Sequence, residues 1–175
     1  MAGLGGTQSK INIALCPGHP KIVELGIQPI GLGILPLVDI VNYIHNILRK
    51  NQVSTLLLPH PSDAHQDHRI SFKAAMIAAR PVAPIYINNV LCYEVLSSTG
   101  WGLEALGNQF QPHWFVNISD TISLKVSAME LFKSQLRATP HPRTKQGILS
   151  LAQYRGNNVG FEYAEAFQVI RMLSN

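Results

Sequence analysis

The chain has 175 residues, of which 46% are hydrophobic and 14% are charged, a composition typical of one folded domain and not of a disordered chain. Its formal charge of +4 comes from 14 basic and 10 acidic residues scattered along the sequence, which argues against the clustered basic surface of a nucleic-acid-binding protein. The N-terminus lacks the pattern of a signal peptide, and no apolar run reaches the ~18 residues needed to span a bilayer. We therefore expect a cytoplasmic protein without a membrane span and without a nucleic-acid partner.

The hydrophobic pattern predicts alternating helices and strands. Residues 1–35 show only fragments of periodicity, whereas apolar residues recur at helical spacing across residues 36–51. The nearly continuous apolar run at 53–58 indicates a strand buried on both faces of a sheet. The remaining predicted elements, in chain order, are a helix over 70–80, strands over 90–96 and 115–118, a helix from the cap residues 119–120 to 136, a helix over 144–155 closed by Gly156, and a terminal element of undecided type over 163–172.

Strands separated by helices in this order predict an α/β fold, a Rossmann-like three-layer sandwich with a mostly parallel sheet. In open sheets of this kind, ligands bind outside the carboxyl ends of the strands. Residues 59–68 follow directly on the predicted strand 53–58 and therefore lie at such an end. We expect the functional site there.

The loop over residues 59–68 is rich in groups that bind metal ions. Its sequence is Pro-His-Pro-Ser-Asp-Ala-His-Gln-Asp-His, and its five imidazole and carboxylate side chains are His60, Asp63, His65, Asp67 and His68. Imidazole nitrogen and carboxylate oxygen are ligands that zinc accepts, and catalytic zinc usually has three protein ligands and one water. The pattern predicts a divalent-metal site. The alternative from the residues alone is a polar loop in which Asp63 caps the following helix and the histidines are solvated.

The same segment resembles the second motif of the LmbE/PIG-L family of GlcNAc-type de-N-acetylases, which ends in His-x-Asp-His followed by a helix. The resemblance covers about residues 34–175 without large gaps. The further stretches that carry it, in order, are Leu-Pro-Leu-Val-Asp-Ile-Val at 35–41, Cys-Tyr-Glu-Val at 92–95, Ser-Ser-Thr-Gly-Trp at 97–101, Ser-Gln-Leu-Arg at 134–137, Pro-His-Pro-Arg at 140–143, and Gly-Phe-Glu-Tyr-Ala-Glu-Ala-Phe at 160–167. It implies one deacetylase-type domain over residues 21–175, preceded by a divergent or truncated segment at 1–20.

The family resemblance implies hydrolysis of an N-acetyl group on a small sugar or sugar conjugate, using Zn2+ or another divalent metal. The ion polarises the acetyl carbonyl and lowers the pKa of its bound water. By position, His68 matches a metal-ligating histidine and His65 matches a catalytic histidine that assists the oxyanion. Asp67 matches a carboxylate that orients one of these rings.

Other residues are candidates for contacting the substrate. Arg69 and Arg143 could bind sugar hydroxyls or phosphate, with surface salt bridges as the alternative. Trp101 could stack on a sugar ring, with ordinary packing as the alternative, and His141 lies in either a substrate pocket or a rigid exposed turn. The sequence also leaves room for a homo-oligomer.

The family's first motif, His-Pro-Asp-Asp, is missing from this sequence. It supplies the general base and two of the three metal ligands in members of the family. The nearest string begins at His19, a candidate metal ligand, but Lys21 and Ile22 replace the base and the next ligand. The short spacing to the stretch at 35–41 favours assigning residues 21–27 to a later strand, which makes His19 an ordinary loop residue. We therefore expect a domain that lacks its first strand or strands and has impaired activity.

Two alternatives stay open. A non-catalytic, sugar-binding or vestigial member of the same fold is favoured by the absent Asp-Asp pair. A metal-dependent hydrolase of another bond, such as a phosphoester, would complete its ligands with His60 and Asp63. Two-metal phosphoesterases use more converging carboxylates than this sequence offers.

Overall fold

A computed structural model describes residues 31–82, 86–102 and 109–174 of the chain. The candidate ligand His19, the substituted positions Lys21 and Ile22, and the predicted N-terminal segment 1–20 lie outside these residues. The helices are α1 (Leu37–Asn51), α2 (Gln66–Ala78), α3 (Ile122–Leu131) and α4 (Lys145–Asn157), and the strands are β1 (Thr55–Pro59), β2 (Asn89–Tyr93), β3 (Trp114–Asn117) and β4 (Ala164–Met172). Short 3-10 turns lie at Leu32–Ile34 and Thr99–Trp101.

The four described strands form one sheet in the order β1-β2-β4-β3. Strands β1 and β2 are parallel, with Pro59 opposite Tyr93, whereas β4 runs antiparallel to both β2 and β3. The α/β class is confirmed, but the described sheet is mixed and not mostly parallel, since two of its three pairings are antiparallel. Strand β4 differs in direction because two helices, α3 and α4, connect it to β3. A connection through a single helix would have brought the chain back parallel to β3.

One face of the sheet packs against α1 and α2. The predicted helix over 36–51 is confirmed as α1, and it buries Ile40, Ile44 and Leu48 on one side because these residues recur every four positions. Strand β1 presents Leu56 and Leu58 to the same core. This packing holds the carboxyl end of β1 in place.

The other face is covered by α4, which packs on β4, and by α3, which packs on α4. The predicted helix from 119–120 to 136 is wrong at its end, because α3 stops at Leu131 and the chain turns at Phe132. The turn lets the backbone N–H of Arg137 donate to the carbonyl of Arg143 at 3.0 Å. Gly156, predicted to close α4, lies inside its last turn, where a Cβ would meet the carbonyl oxygen of Phe161 at 2.6 Å.

No helix within the described ranges is both long and apolar enough to cross a membrane. Because β1 and β2 are parallel neighbours, the segments that follow them leave the sheet at the same edge. These two segments build the candidate site.

Candidate functional site

The histidine-rich segment is divided between a loop and the start of α2. Strand β1 ends at Pro59, and α2 begins at Gln66, four residues before the start of the predicted helix over 70–80. His65 is the N-cap residue of α2, and its Nδ1 accepts a hydrogen bond from the backbone N–H of Asp67 at 3.2 Å. Serine, threonine, aspartate and asparagine are the usual caps, so the capping histidine gave no signal in the sequence. Asp67 and His68 therefore lie in the first helical turn.

Asp63 is the polar centre of the site and is completely buried. Its Oδ1 accepts hydrogen bonds from the backbone N–H of His65 at 2.8 Å and from the Ser98 hydroxyl. Its Oδ2 accepts a hydrogen bond from the Thr99 hydroxyl at 3.1 Å. Ser98 and Thr99 belong to the segment after β2, so this carboxylate ties together the ends of two adjacent strands. The backbone N–H of Ala64, which donates to the carbonyl of Ser98 at 3.0 Å, adds to the connection.

Asp63 is ionised at neutral pH. Burial alone would raise the pKa of its carboxyl group, because a charged group loses hydration inside the protein. The contacts from His68 and Ser98 and the backbone N–H of His65 outweigh this effect and hold the pKa of Asp63 below its ordinary value of 3.8. A buried carboxylate with these donors is a fixed negative charge next to the histidines.

His68 and His65 lie side by side above this charge. Nδ1 of His68 is 3.1 Å from Oδ2 of Asp63, within ion-pair distance, although the ring is not aligned for a linear N–H···O hydrogen bond. The two imidazole rings stack with centroids 4.7 Å apart and planes at 20°. The two rings therefore lie next to each other where the segment after β1 enters α2. Because Nδ1 of His68 lies next to the carboxylate, Nε2 is the nitrogen left able to bind a metal ion.

His65 is neutral at neutral pH. Burial and the adjacent His68 lower its pKa below 6.5, and the opposing charges of Asp67 and Asp63 do not restore it. Because Nδ1 accepts from the backbone N–H of Asp67, the hydrogen-bond pattern assigns the proton of the neutral ring to Nε2. His65 can therefore donate a hydrogen bond through Nε2–H.

Asp67, which is expected to orient one of the rings, meets His65 through its backbone, whereas the carboxylate within ion-pair distance of the His68 ring is that of Asp63. The side chain of Asp67 is buried, and its Oδ1 has no hydrogen-bond partner among the described residues. Its contacts run through the backbone, whose N–H donates to His65 and whose carbonyl accepts from the Ser71 hydroxyl at 2.5 Å. At the start of α2 the helix geometry directs the peptide N–H of Asp67, and not its carboxylate, toward the His65 ring.

His60 packs into the interior. It is completely buried, its ring meets Phe110 edge-on at 5.6 Å, and its Nδ1 is 2.7 Å from the Ser62 hydroxyl. With Asp63 also buried and committed to hydroxyl and backbone donors, this pair does not complete the ligand set that a phosphoesterase site would use.

The described residues do not complete the predicted metal site by themselves. In the ranges 31–82, 86–102 and 109–174, no three His, Cys, Asp or Glu side chains converge to hold an ion. His68 offers Nε2, the adjacent His65 offers at most a second nitrogen, and Asp63 is used as a hydrogen-bond acceptor. Catalytic zinc sites use three protein ligands, so the donor set of the described residues does not fit such an ion.

The predicted substrate residues occupy three different places. Arg69 holds the loop through Nη1, which donates to the carbonyls of Asp63 and Ala64 at 2.7 Å each. Trp101 is 60% exposed and meets the ring of His141 edge-to-face at 5.3 Å. Arg143 lines a cavity of about 450 Å3 on the α3–α4 face of the sheet.

Ser98 and Thr99 belong to the candidate site, although the sequence does not single them out. They stand within the stretch 97–101 that resembles the family. The signal was their place after β2, because the segments following two adjacent parallel strands meet at one edge.

Comparison with known proteins identifies deacetylases among the similar chains. The chain matches no protein-family model. The diacetylchitobiose deacetylase of Thermococcus kodakarensis is 24% identical over 133 residues, which are 73% of this chain and 49% of that protein. The chain thus spans about half the length of the curated relative that it matches.

Solved structures share the fold. The conserved protein TT1542 from Thermus thermophilus superposes with a TM-score of 0.64 at 21% identity, over 83% of this chain and 64% of that one. The zinc-inhibited form of teicoplanin deacetylase Orf2 has a TM-score of 0.59 at 18% identity, over 93% and 62%. GalB, a 4-carboxy-2-hydroxymuconate hydratase from Pseudomonas putida KT2440, has a TM-score of 0.58 at 19% identity, over 79% and 61%. The fold therefore carries more than one reaction.

Proposed function

We propose that the chain is an amide hydrolase domain of the LmbE/PIG-L type that removes N-acetyl groups from a sugar or sugar conjugate, with low activity. The observation that carries the proposal is the stacked pair His65–His68 held over buried Asp63 at the carboxyl edge of the sheet. The similarity to a diacetylchitobiose deacetylase and the fold shared with a teicoplanin deacetylase support it.

His65 is the catalytic residue in this proposal. Its neutral ring carries the proton on Nε2, so it can donate a hydrogen bond to the acetyl oxygen as negative charge develops there. A pKa lowered by burial keeps the ring neutral at neutral pH. Asp67 acts through His65, because its backbone N–H fixes the ring by binding Nδ1.

Divalent-metal binding is proposed as weak and dependent on His68. The buried carboxylate of Asp63 orients the His68 ring from the side opposite to Nε2, as carboxylates do for metal-binding histidines. Further ligands have to come from outside the described residues, and His19 is the first candidate. The general base of the family is replaced by Lys21 in the nearest string, and a cation is a poor proton acceptor for water. The incomplete metal ligand set of the described residues and the replacement of the general base are the reasons for expecting low activity.

The exposed face of Trp101 is the proposed platform for the sugar. Its indole is held edge-to-face by His141 and follows in sequence the two hydroxyl residues that bind Asp63. Aromatic rings present a large apolar face at little entropic cost, which suits the apolar face of a pyranose. Arg69 serves the same site indirectly, by fixing the loop carbonyls.

The test is acetate release from N-acetylglucosamine oligomers with added zinc or another divalent ion. We expect slow release that falls by about 10²–10³ in His65→Gln, as for loss of one oxyanion donor. His113→Gln is the matched control, because His113 is exposed and its backbone, not its ring, bonds to Phe167. Activity that survives in His65→Gln at the control level would refute the assignment.

A non-catalytic sugar-binding protein is the second candidate. It is favoured because the described residues hold no three-donor metal group while Trp101 remains 60% exposed. Calorimetric titration with chitobiose distinguishes the two functions. Binding that is lost in Trp101→Ala, without acetate release under any metal condition, would support this candidate over the hydrolase.

A further inference from the structure

A cavity of about 450 Å3 lies between the sheet and helices α3 and α4. Its walls are largely apolar, with Val95, Met129, Leu151 and Phe167 among the lining side chains. The volume falls within the range of about 300–1,000 Å3 typical of small-molecule sites. Neither His65 nor His68 lines it, so the cavity is separate from the histidine pair.

Most of the charge on the cavity wall is already neutralised within the protein. Arg155 donates to both carboxylate oxygens of Glu94, through Nε at 2.7 Å and Nη2 at 2.8 Å. Lys125 pairs with Glu165 at 2.6 Å. These two pairs contribute no net charge to the cavity. The remaining charged lining residue is Arg143.

Arg143 has unused capacity to bind an anion. Its Nη1 donates to Oε1 of Gln135 at 2.7 Å, but no acidic side chain among the described residues lies within ion-pair distance of it. Its Nε is buried and has no hydrogen-bond partner within those residues. Burial and the nearby charge of Arg137 lower the pKa of Arg143, so its cationic form lacks compensation that an anion would supply.

We propose that this cavity binds a small organic carboxylate with an apolar body, its carboxylate on the guanidinium of Arg143 and its body against Met129, Leu151 and Phe167. The guanidinium fork matches a carboxylate geometrically and supplies charge-assisted hydrogen bonds. Burial of a hydrocarbon body against the apolar walls contributes favourable binding free energy, because it removes apolar surface from water. The site goes beyond the proposed deacetylase function and does not depend on it, because the two sites share none of these residues.

The test is calorimetric titration of the 175-residue chain with octanoate, beside 1-octanol as the neutral probe and octyl phosphate as the phosphate-headed probe. We expect octanoate to bind at one site and more tightly than either comparison ligand. Arg143→Met should weaken octanoate binding by about tenfold or more, the loss expected for a charged hydrogen bond, and should leave 1-octanol unaffected. Arg137→Met is the matched control, since Arg137 is an exposed neighbouring cation that bonds to backbone carbonyls and does not line the cavity.

A second variant tests the cavity without touching the charge. Ala128 is exposed on α3 and lines the cavity, so Ala128→Trp should block entry and abolish binding of both octanoate and 1-octanol. Circular dichroism checks that each variant is folded, and if Arg143→Met does not fold, the comparison of octanoate with 1-octanol and the Ala128→Trp result decide. The proposal is overturned by absent octanoate binding, by equal affinity for octanoate and 1-octanol, by tighter binding of octyl phosphate, by equal losses in Arg137→Met, or by unchanged binding in Ala128→Trp.

Discussion

Replacing Asp63 tests whether this buried carboxylate organises the candidate site. Asp63→Asn keeps the shape and the acceptor oxygen for the backbone N–H of His65, but it removes the charge and turns one oxygen into a donor facing Thr99 and His68. Hydrogen bonds to a charged group contribute about 1.5–3 kcal/mol each. Losing one of these contacts and weakening the others should lower the free energy of unfolding by about 2 kcal/mol. Asp63→Ala, which leaves all the donors without an acceptor, should lower it by about 4 kcal/mol.

The stability difference between the wild type and Asp63→Asn should depend on pH. The pKa of Asp63 is lower in the folded chain than its ordinary value of 3.8, so its stabilising contribution is complete above that value and is lost as pH falls through the folded-state pKa. Urea unfolding of the wild type and Asp63→Asn should therefore differ most above pH 3.8, the ordinary pKa, and the difference should shrink as the pH falls below it. Asp120→Asn is the control, because Asp120 is exposed. A difference that does not change with pH, or equal stability at neutral pH, would refute the account of Asp63.

Three further predictions test other parts of the structure. Cys92 is buried and its thiol pKa is raised to about 12, so iodoacetamide at about pH 8 should alkylate it only after unfolding, as read by mass spectrometry of its peptide; labelling of the folded chain would contradict its burial. Gly102→Ala should destabilise the fold by about 1–3 kcal/mol because a Cβ would clash with the backbone oxygen of Ser62, while Gly100→Ala, with nothing within 4 Å of its Cβ, should be neutral in the same urea titration. Zinc binding measured by calorimetry should be weak and should disappear in His68→Ala; tight binding that persists in this variant would mean that the ligands lie elsewhere.

The elements that could be predicted from the sequence are those whose local pattern agrees with their tertiary role. The recurrence of Leu37, Val41, Ile44 and Leu48, with Ile40 beside them, predicts a helix with one apolar side. In the structure it is α1, which buries Ile40, Ile44 and Leu48. Strand β4 could not be typed from the sequence, because the apolar–polar alternation that begins at Ala164 breaks at Phe167 and again at Ile170. Pairing on both sides, with β2 and β3, determines its conformation, and strand preference depends on such context.

The candidate site was predictable in part for the same reason. Residues three apart on a helix are neighbours, so the contact of His65 with His68 follows once α2 begins at Gln66. The hydrogen-bond partners of Asp63 could not be predicted from local sequence in this way. The Ser98 hydroxyl is 35 positions away in the sequence, and only the pairing of β1 with β2 brings it to the carboxylate.

The register of β1 and β2 therefore controls the chemistry as well as the packing. Pro59 lies opposite Tyr93, which places the first residues after each strand at the same height above the sheet, and the backbone bond from Ala64 to Ser98 extends that alignment. A slip of one residue would turn alternate side chains to the opposite face and would take Ser98 and Thr99 away from Asp63. The carboxylate of Asp63 would then be buried without the hydroxyl groups that donate hydrogen bonds to it, which is strongly destabilising. The same strand alignment therefore positions the histidine pair and provides the hydrogen-bond donors for Asp63. A fold shared with both a deacetylase and a hydratase does not by itself fix a reaction, so the proposed function rests on the side chains at this edge, whose placement depends on that register.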